Sequence, residues 1–188
     1  MASRFQSLCI FCGSRGGSSP AHAKAAKNVG KLLADLGIRM VYGGGSNGLM
    51  GVAADACMAA GGEVIGVITH FLMKAEVGHG GVTRLEQVET ILERKSRMAE
   101  LSDGFISLPG GIGTLDELFE MLTWTRLGIH QKPNGLLNVD GFYDELLSFT
   151  RQTQVKAGFI SEKGANNLLV FGNPDELLEK MAAWSFQG

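Results

Sequence analysis

Cysteine is scarce in this chain, at 3 of 188 residues. That is too few for a disulfide framework and suits a reducing compartment. The pair Cys9-Ile10-Phe11-Cys12 spells a C-x-x-C, but inside an apolar run that reads as a strand. Residues three apart on a strand point to opposite faces, which argues against a redox motif. Histidine is scarce too, and His22, His70, His79 and His130 show no metal-ligand spacing, so no metal is expected. Basic charge is not in excess. A formal net charge of −2 and a pI near 6.1 argue against a nucleic-acid scaffold, although a local anion pocket needs no basic surface. No apolar run reaches the length of a membrane span, and Met1 to Ser7 is too short and polar for a signal peptide. The expectation is a cytoplasmic protein without membrane association. Internal repeats, low-complexity tracts and linkers long enough to divide domains are also lacking.

Glycine, by contrast, is abundant, at 27 residues clustered where apolar runs end. Strand candidates are Ser7–Cys12, Arg39–Tyr42, Glu63–Ile68, Arg84–Val88, Gly104–Leu108, Gly135–Val139 and Leu168–Phe171. Helical patterns alternate with them. The first is capped by Ser19, opened by Pro20 and ended by Gly37, with an apolar stripe through Ala25, Val29, Leu32, Leu33 and Leu36. Others are expected at Leu49–Ala60, Ile91–Leu101, Thr114–Leu127, Tyr143–Lys156 and Pro174–Ala183. Alternating strands and helices predict an α/β fold: one Rossmann-like domain over residues 1–188, a parallel sheet with helices on both faces. In such sheets ligands bind beyond the carboxyl ends of the strands, where strand order reverses.

Three glycine-bearing loops follow predicted strands and would share that rim. The first, Gly13-Ser14-Arg15-Gly16-Gly17, offers Gly13 and Ser14 as ligand contacts. The second runs Gly43-Gly44-Gly45-Ser46-Asn47-Gly48. Gly43, Gly45 and Gly48 match G-x-G-x-x-G, but after the second strand, and Glu63 falls at the start of a strand rather than its end. A tight turn lining a mononucleotide pocket fits better than a dinucleotide fingerprint. The third, Leu108-Pro109-Gly110-Gly111-Ile112-Gly113-Thr114-Leu115-Asp116-Glu117, is the most informative. A strand, a glycine-rich turn and a helix start make an anion site, because helix N-termini leave N–H groups unpaired and glycine lets a phosphate approach. No Gly-Lys-Ser/Thr follows, so it is not a Walker loop. Thr114-x-x-Glu117 alone would also read as a capping box.

Arg94 shares a helical stripe with Ile91, Met98 and Leu101, so it needs either a buried partner or a ligand cavity. Its neighbours Lys95 and Arg97 read as a solvated face, with Glu93 and Arg97 spaced as an i,i+4 pair. Asp116 and Glu120 are expected to face water, and Glu76 and His79 to lie in a solvated loop. Thr123 reads as an ordinary helix-surface residue. Apolar residues on several sides of the helix from Thr114 (Leu118, Phe119, Met121, Leu122, Trp124) point to a symmetric helix contact, hence a homodimer.

Together these segments resemble the Lonely Guy family, often mislabelled as lysine decarboxylases. The resemblance rests on Phe11-Cys12-Gly13-Ser14, Val41-Tyr42-Gly43-Gly44-Gly45, Gly48-Leu49-Met50-Gly51, Glu93-Arg94-Lys95 and the Pro109–Glu117 element. It continues through Thr123-Trp124, Leu127-Gly128, Lys132-Pro133 and Gly141-Phe142-Tyr143. It implies a homodimeric Rossmann-like enzyme that hydrolyses the N-glycosidic bond of cytokinin riboside 5′-monophosphates, and AMP in many bacterial members, without a cofactor. By position it implies Arg94 and Glu117 as the catalytic pair. It implies Glu76, Arg94, Lys95, Gly111 to Glu117 and Thr123 as nucleotide contacts. Leu92, Arg126 and Ala165 depart from the family's common histidine, glutamine and arginine, and the first two are expected to flank the pocket and bear on base preference. The alternative implied by the same fold is a non-catalytic nucleotide or molybdenum-cofactor carrier. A true lysine decarboxylase would need a Schiff-base lysine for pyridoxal phosphate, and neither Lys95 nor Lys132 is placed for that.

Overall fold

The computed structural model describes residues 4–75 and 77–186. Each predicted strand is present: β1 (Ser7–Phe11), β2 (Arg39–Tyr42), β3 (Val64–Thr69), β4 (Arg84–Val88), β5 (Phe105–Ser107), β6 (Asn134–Leu137) and β7 (Leu168–Phe171). They form one sheet in the order β4-β3-β2-β1-β5-β6-β7, with every neighbouring pair parallel. β1 and β3 are buried along their whole length, as strands covered on both faces must be. The edge strand β4 carries Arg84, Glu86 and Gln87, and charge of this kind discourages pairing with other chains. Strand order reverses at β1, which pairs with β2 on one side and β5 on the other.

On one face lie α1 (Pro20–Asp35), α2 (Gly48–Ala59) and α9 (Pro174–Ala183); on the other lie α4 (Ile91–Glu100) and α5 (Ile112–Arg126). Leu8, Ile10 and Cys12 join the first core cluster, and Cys9 and Phe11 the second, so the two cysteines do face opposite ways. A third cluster packs Leu118 and Leu136 against Tyr143 and Leu147. Ser19 caps α1 through the Ala21 N–H, and Gly37 follows its end at φ +67°. The buried face of α1 is nevertheless rotated from the expected stripe. His22, Ala26, Val29, Gly30 and Leu33 are buried, and Leu36 is exposed. The reason is the approach of α2: a Cβ at Gly30 would lie 2.1 Å from the Ala53 carbonyl oxygen.

Four expectations need correction. The helix placed at Thr114 starts at Ile112 with Gly111 as N-cap, so Thr114 is inside it and forms no capping box with Glu117. The capping box instead joins Thr90 and Glu93 at the start of α4. Glu93 is therefore not the partner of Arg97, which pairs with Glu86 at 2.7 Å and Glu100 at 3.1 Å. The helix expected over Tyr143–Lys156 is divided into α6 (Asp144–Ser148), a π turn over Phe149–Thr153, and α7 (Gln154–Lys156). Short α3 (His70–Ala75) and α8 (Glu162–Ala165) were not anticipated, since they are too brief to show periodicity and bury no residue. No helix among the described residues is long and apolar enough to cross a membrane.

Candidate active site

The loop after β5 is held from three directions. Leu108 donates its N–H to the Phe11 carbonyl at 2.8 Å, and Gly13 donates to the Pro109 carbonyl at 3.1 Å. From the far side the buried Tyr143 hydroxyl donates to the Leu108 carbonyl at 2.7 Å, and burial pushes that phenol's pKa up. Gly110 is obligatory for this packing: a Cβ there would lie 2.2 Å from Thr114 Oγ1 and 2.9 Å from the Gly13 nitrogen. The loop then turns into α5, whose N-cap, Gly111, has no side chain to offer. Among the described residues no hydrogen bond reaches the N–H groups of Ile112, Gly113 or Thr114. Such a helix start presents unpaired donors and the positive end of the dipole. By contrast α1, α4 and α9 each carry a side-chain cap.

Arg94 is 7% exposed, and both of the roles considered for it are visible. Its Nε donates to the Val67 carbonyl at 2.9 Å and Nη2 to the Gly43 carbonyl at 2.7 Å, while the side chain also lines a cavity. Gly43 must be glycine because a Cβ there would sit 2.1 Å from Nη2. A fork fixed by two backbone carbonyls is a rigid cation.

That cavity, about 510 Å³, opens at the switch point beyond β1 and β5. Gly110, Gly111, Ile112, Gly113, Thr114 and Glu117 line it from the Pro109 loop and α5. Gly13 and Ser14 line it from the β1–α1 loop, and Arg94 reaches it from α4. Glu117, one turn into α5, is half-buried. Burial, reinforced by the Glu117 charge, holds the Cys9 thiol well above its ordinary value, so this sulfur is an unreactive part of the core.

Other expected contacts lie elsewhere. Gly43, Gly44 and Gly45 are buried and do not line the cavity; Gly43 seats Arg94, Gly44 accepts from the His79 N–H, and Gly45 bridges to Gly78. Lys95, Leu115 and Asp116 are outside the lining. Lys95 is not on a solvated face: its side chain is 12% exposed and bridges Asp116 at 3.0 Å and Glu120 at 2.9 Å. Burial opposes its charge, but the hydrogen bonds to Glu120 and Asp116 outweigh that and raise its pKa. Glu120 therefore does not face water freely, although Asp116 stays exposed. Thr123 bonds back to the Phe119 carbonyl at 2.7 Å and lines a second, apolar cavity of about 150 Å³ with Arg126 and Ala165. Leu92 is exposed and lines neither cavity. Glu76 lies outside the described residues. His79 is clasped, its Nε2 2.9 Å from Asp55 and its N–H on the Gly44 carbonyl at 2.8 Å. Sequence reasoning did not single out Arg15, Ser18, His22, Leu49, Met50 or Phe142, all of which line the main cavity. The glycines around Arg15 and Gly141-Phe142 were the available signal.

The family model described as possible lysine decarboxylase matches residues 50–181. A probable cytokinin riboside 5′-monophosphate phosphoribohydrolase of Oryza sativa subsp. japonica is 46% identical over 185 residues, 98% of this chain and 74% of the relative. A cytokinin riboside 5′-monophosphate phosphoribohydrolase of Arabidopsis thaliana is 44% identical over 179 residues, 95% of this chain and 82% of the relative. Among solved structures, the molybdenum cofactor binding protein of Rippkaea orientalis shares the fold with a TM-score of 0.71 at 22% identity, covering 96% of this chain and 97% of that one. The molybdenum cofactor carrier protein of Chlamydomonas reinhardtii does so with a TM-score of 0.67 at 20% identity, covering 96% and 100%. Similarity at that level speaks for the architecture alone. The match over most of the sequence, at 44% identity or more, is what decides: the chain belongs to the Lonely Guy family of cytokinin riboside 5′-monophosphate phosphoribohydrolases.

Proposed function

We propose that the protein hydrolyses the N-glycosidic bond of nucleoside 5′-monophosphates, cytokinin riboside 5′-monophosphates and AMP among them, releasing the free base and ribose 5-phosphate. One observation carries the reading: a helix N-terminus without a cap and a carboxylate one turn further on open into the same cavity. The unpaired N–H groups of Ile112, Gly113 and Thr114 take the 5′-phosphate. The ribose then lies toward Glu117, whose charge stabilises the oxocarbenium-like state at C1′ and orients the attacking water. As the C1′–N bond breaks, water supplies the new hydroxyl at C1′ and the departing base takes up a proton. Arg94, fixed on its two carbonyls, holds the ribose phosphate against that carboxylate. A carrier would need the loop but not Glu117. A lysine decarboxylase is disfavoured by the same cavity, because no lysine is among its described lining residues and Lys95 is engaged as a cation by Asp116 and Glu120.

The reading extends to assembly and setting. Leu118 and Met121 of α5 are absorbed by the core, but Ile91, Leu92, Phe119, Leu127 and Ile129 remain exposed on and after α4 and α5. A second copy of the chain would cover these residues by two-fold symmetry. Three buried free thiols suit a cytoplasmic protein. The test is incubation with AMP, with isopentenyladenosine monophosphate and with the two matching nucleosides, followed by chromatography of released base. The monophosphates should be cleaved and the nucleosides be nearly inert, because the phosphate supplies the binding energy that positions the ribose. Equal turnover of adenosine and AMP would contradict the phosphate loop.

A further inference from the structure

The cavity does not stop at the Pro109 loop. Its opposite wall is the segment between β1 and α1, where Arg15 and Ser18 are exposed and His22, in the first turn of α1, is 9% exposed. The two walls meet backbone to backbone: Gly13 donates to the Pro109 carbonyl at 3.1 Å, and an ideal Cβ on Gly13 would lie 3.4 Å from the Gly110 Cα. This wall cannot offer what α5 offers, since Ser19 already caps the start of α1. Its available donors are side chains. Arg15 has no hydrogen bond or ion pair among the described residues, and neither ring nitrogen of His22 has a hydrogen-bond partner there.

The surroundings of His22 keep it aimed at the cavity. Its ring meets Phe142 edge to face, with centroids 5.4 Å apart and planes at 79°. Any Cβ on Gly17, which sits at φ +72°, would lie 2.6 Å from Nδ1, so glycine leaves that nitrogen uncovered. A nine-tenths buried ring whose nitrogens open only on a cavity, with an arginine of the same wall unengaged by the protein, offers fixed donors that a ligand can take up. The charge balance says what kind: among the described residues Arg15 and Arg94 are the lining cations and Glu117 the lining carboxylate.

We infer that Arg15 and His22 form a second grip on the substrate's 5′-phosphate, donating to oxygens that face away from the N-terminus of α5, and thereby select phosphorylated ribosyl compounds. This rests on the nucleotide reading above and adds two binding residues to it. A phosphate has more acceptor sites than one helix start can fill, and charge-assisted bonds from guanidinium or imidazole are the strong kind. The grip acts on binding and on the placement of the ribose, not on the bond that breaks.

Two variants test it. Arg15→Ala changes an exposed loop residue, and His22→Phe keeps an aromatic ring against Phe142 while removing both nitrogens. Ribose 5-phosphate, inorganic phosphate and adenine are titrated by calorimetry into the wild-type protein and both variants, and KM and kcat are measured for AMP. Each variant should bind ribose 5-phosphate and phosphate about tenfold more weakly, one charge-assisted bond being lost, and raise KM for AMP to match. Adenine binding should not change. Undiminished ribose 5-phosphate affinity in both variants overturns the inference, as does a loss confined to adenine, which would assign the pair to the base. Binding is read without turnover, so a wild-type protein that binds ribose 5-phosphate but releases no base from AMP leaves the grip testable while refuting the proposed hydrolysis. A wild-type protein that binds neither phosphate compound overturns both.

Discussion

Gly43→Ala separates the seat of Arg94 from its charge. The substitution adds one methyl group to a buried residue whose backbone needs no left-handed conformation. The added carbon would lie 2.1 Å from Arg94 Nη2, 3.1 Å from Cζ and 3.3 Å from the Met50 sulfur. The backbone is not forced to shift, so the guanidinium must. Displacement breaks the 2.7 Å bond to the Gly43 carbonyl and strains the 2.9 Å bond to Val67. A hydrogen bond to a charged group contributes roughly 1.5–3 kcal/mol, and water in the cavity replaces part of it, so a loss of about 1–3 kcal/mol in stability is expected. For a domain of this size that is a fall in Tm of roughly 2–12 °C. The effect on turnover should be larger, because misplacing a positioning group by about 1 Å can cost 10²-fold. Differential scanning calorimetry and release of adenine from AMP would measure the two. A Gly43→Ala enzyme with native turnover would show that the position of Arg94 is irrelevant to the reaction. A variant that fails to fold would show that the methyl group displaces the sheet and not the arginine.

Glu117→Gln should fold and still bind ribose 5-phosphate, while turnover of AMP drops by about 10² or more, the scale for a lost charged group at the reaction centre; native turnover would remove Glu117 from the mechanism. Tyr143→Phe leaves the buried Leu108 carbonyl without its donor, which should cost about 1–3 kcal/mol in denaturant melts and raise KM for AMP, since the carbonyl immediately precedes the proposed phosphate loop. Burial, with Lys132 adding to it, lowers the His130 pKa to about 4. The unfolded chain, titrating near 6.5, then binds the proton more readily, so this residue's share of stability is intact above that pH and is lost as pH falls from about 6.5 through about 4. His130→Gln should therefore show a shallower acid-side loss, read as the difference between the two urea-denaturation profiles. Light scattering at micromolar concentration should give the mass of a homodimer, and a monomer would leave the exposed residues of α4 and α5 without the proposed cover.

Much of this was legible in the sequence because the signals were local. Apolar runs ended by glycine gave β1, β2 and β7, and Ser19-Pro20 and Asn173-Pro174 gave two helix starts. Arg94 stood out because a charge on an apolar stripe has few physical solutions. Other features escaped because they depend on distant neighbours. The start of α5 was misplaced because side-chain caps are what a sequence displays, and Gly111 caps with nothing; the open donors of that helix end follow from the same omission. Lys95 reads as solvated until α5 brings Asp116 and Glu120 beside it. The glycines after β2 read as a ligand loop, yet the smallness of Gly43 serves an arginine 51 residues away. His22 was hidden inside an apolar helix face, where nothing local says that a cavity opens at its edge.

The pairing of β1 with β5 joins Cys9 to Phe105 and Phe11 to Ser107, and both walls of the cavity hang from that seam. Its sequence separation has a kinetic consequence. Closing a loop of this length costs entropy before any contact rewards it, and parallel pairing of distant segments is slow for that reason. The strands on the β2 side can assemble from near neighbours in sequence, whereas the seam waits for β5. A form of the chain in which this seam is still open lacks the joined walls of the cavity, so a nucleotide present during refolding should act only after the seam has closed. It should slow unfolding and leave the folding rate unchanged.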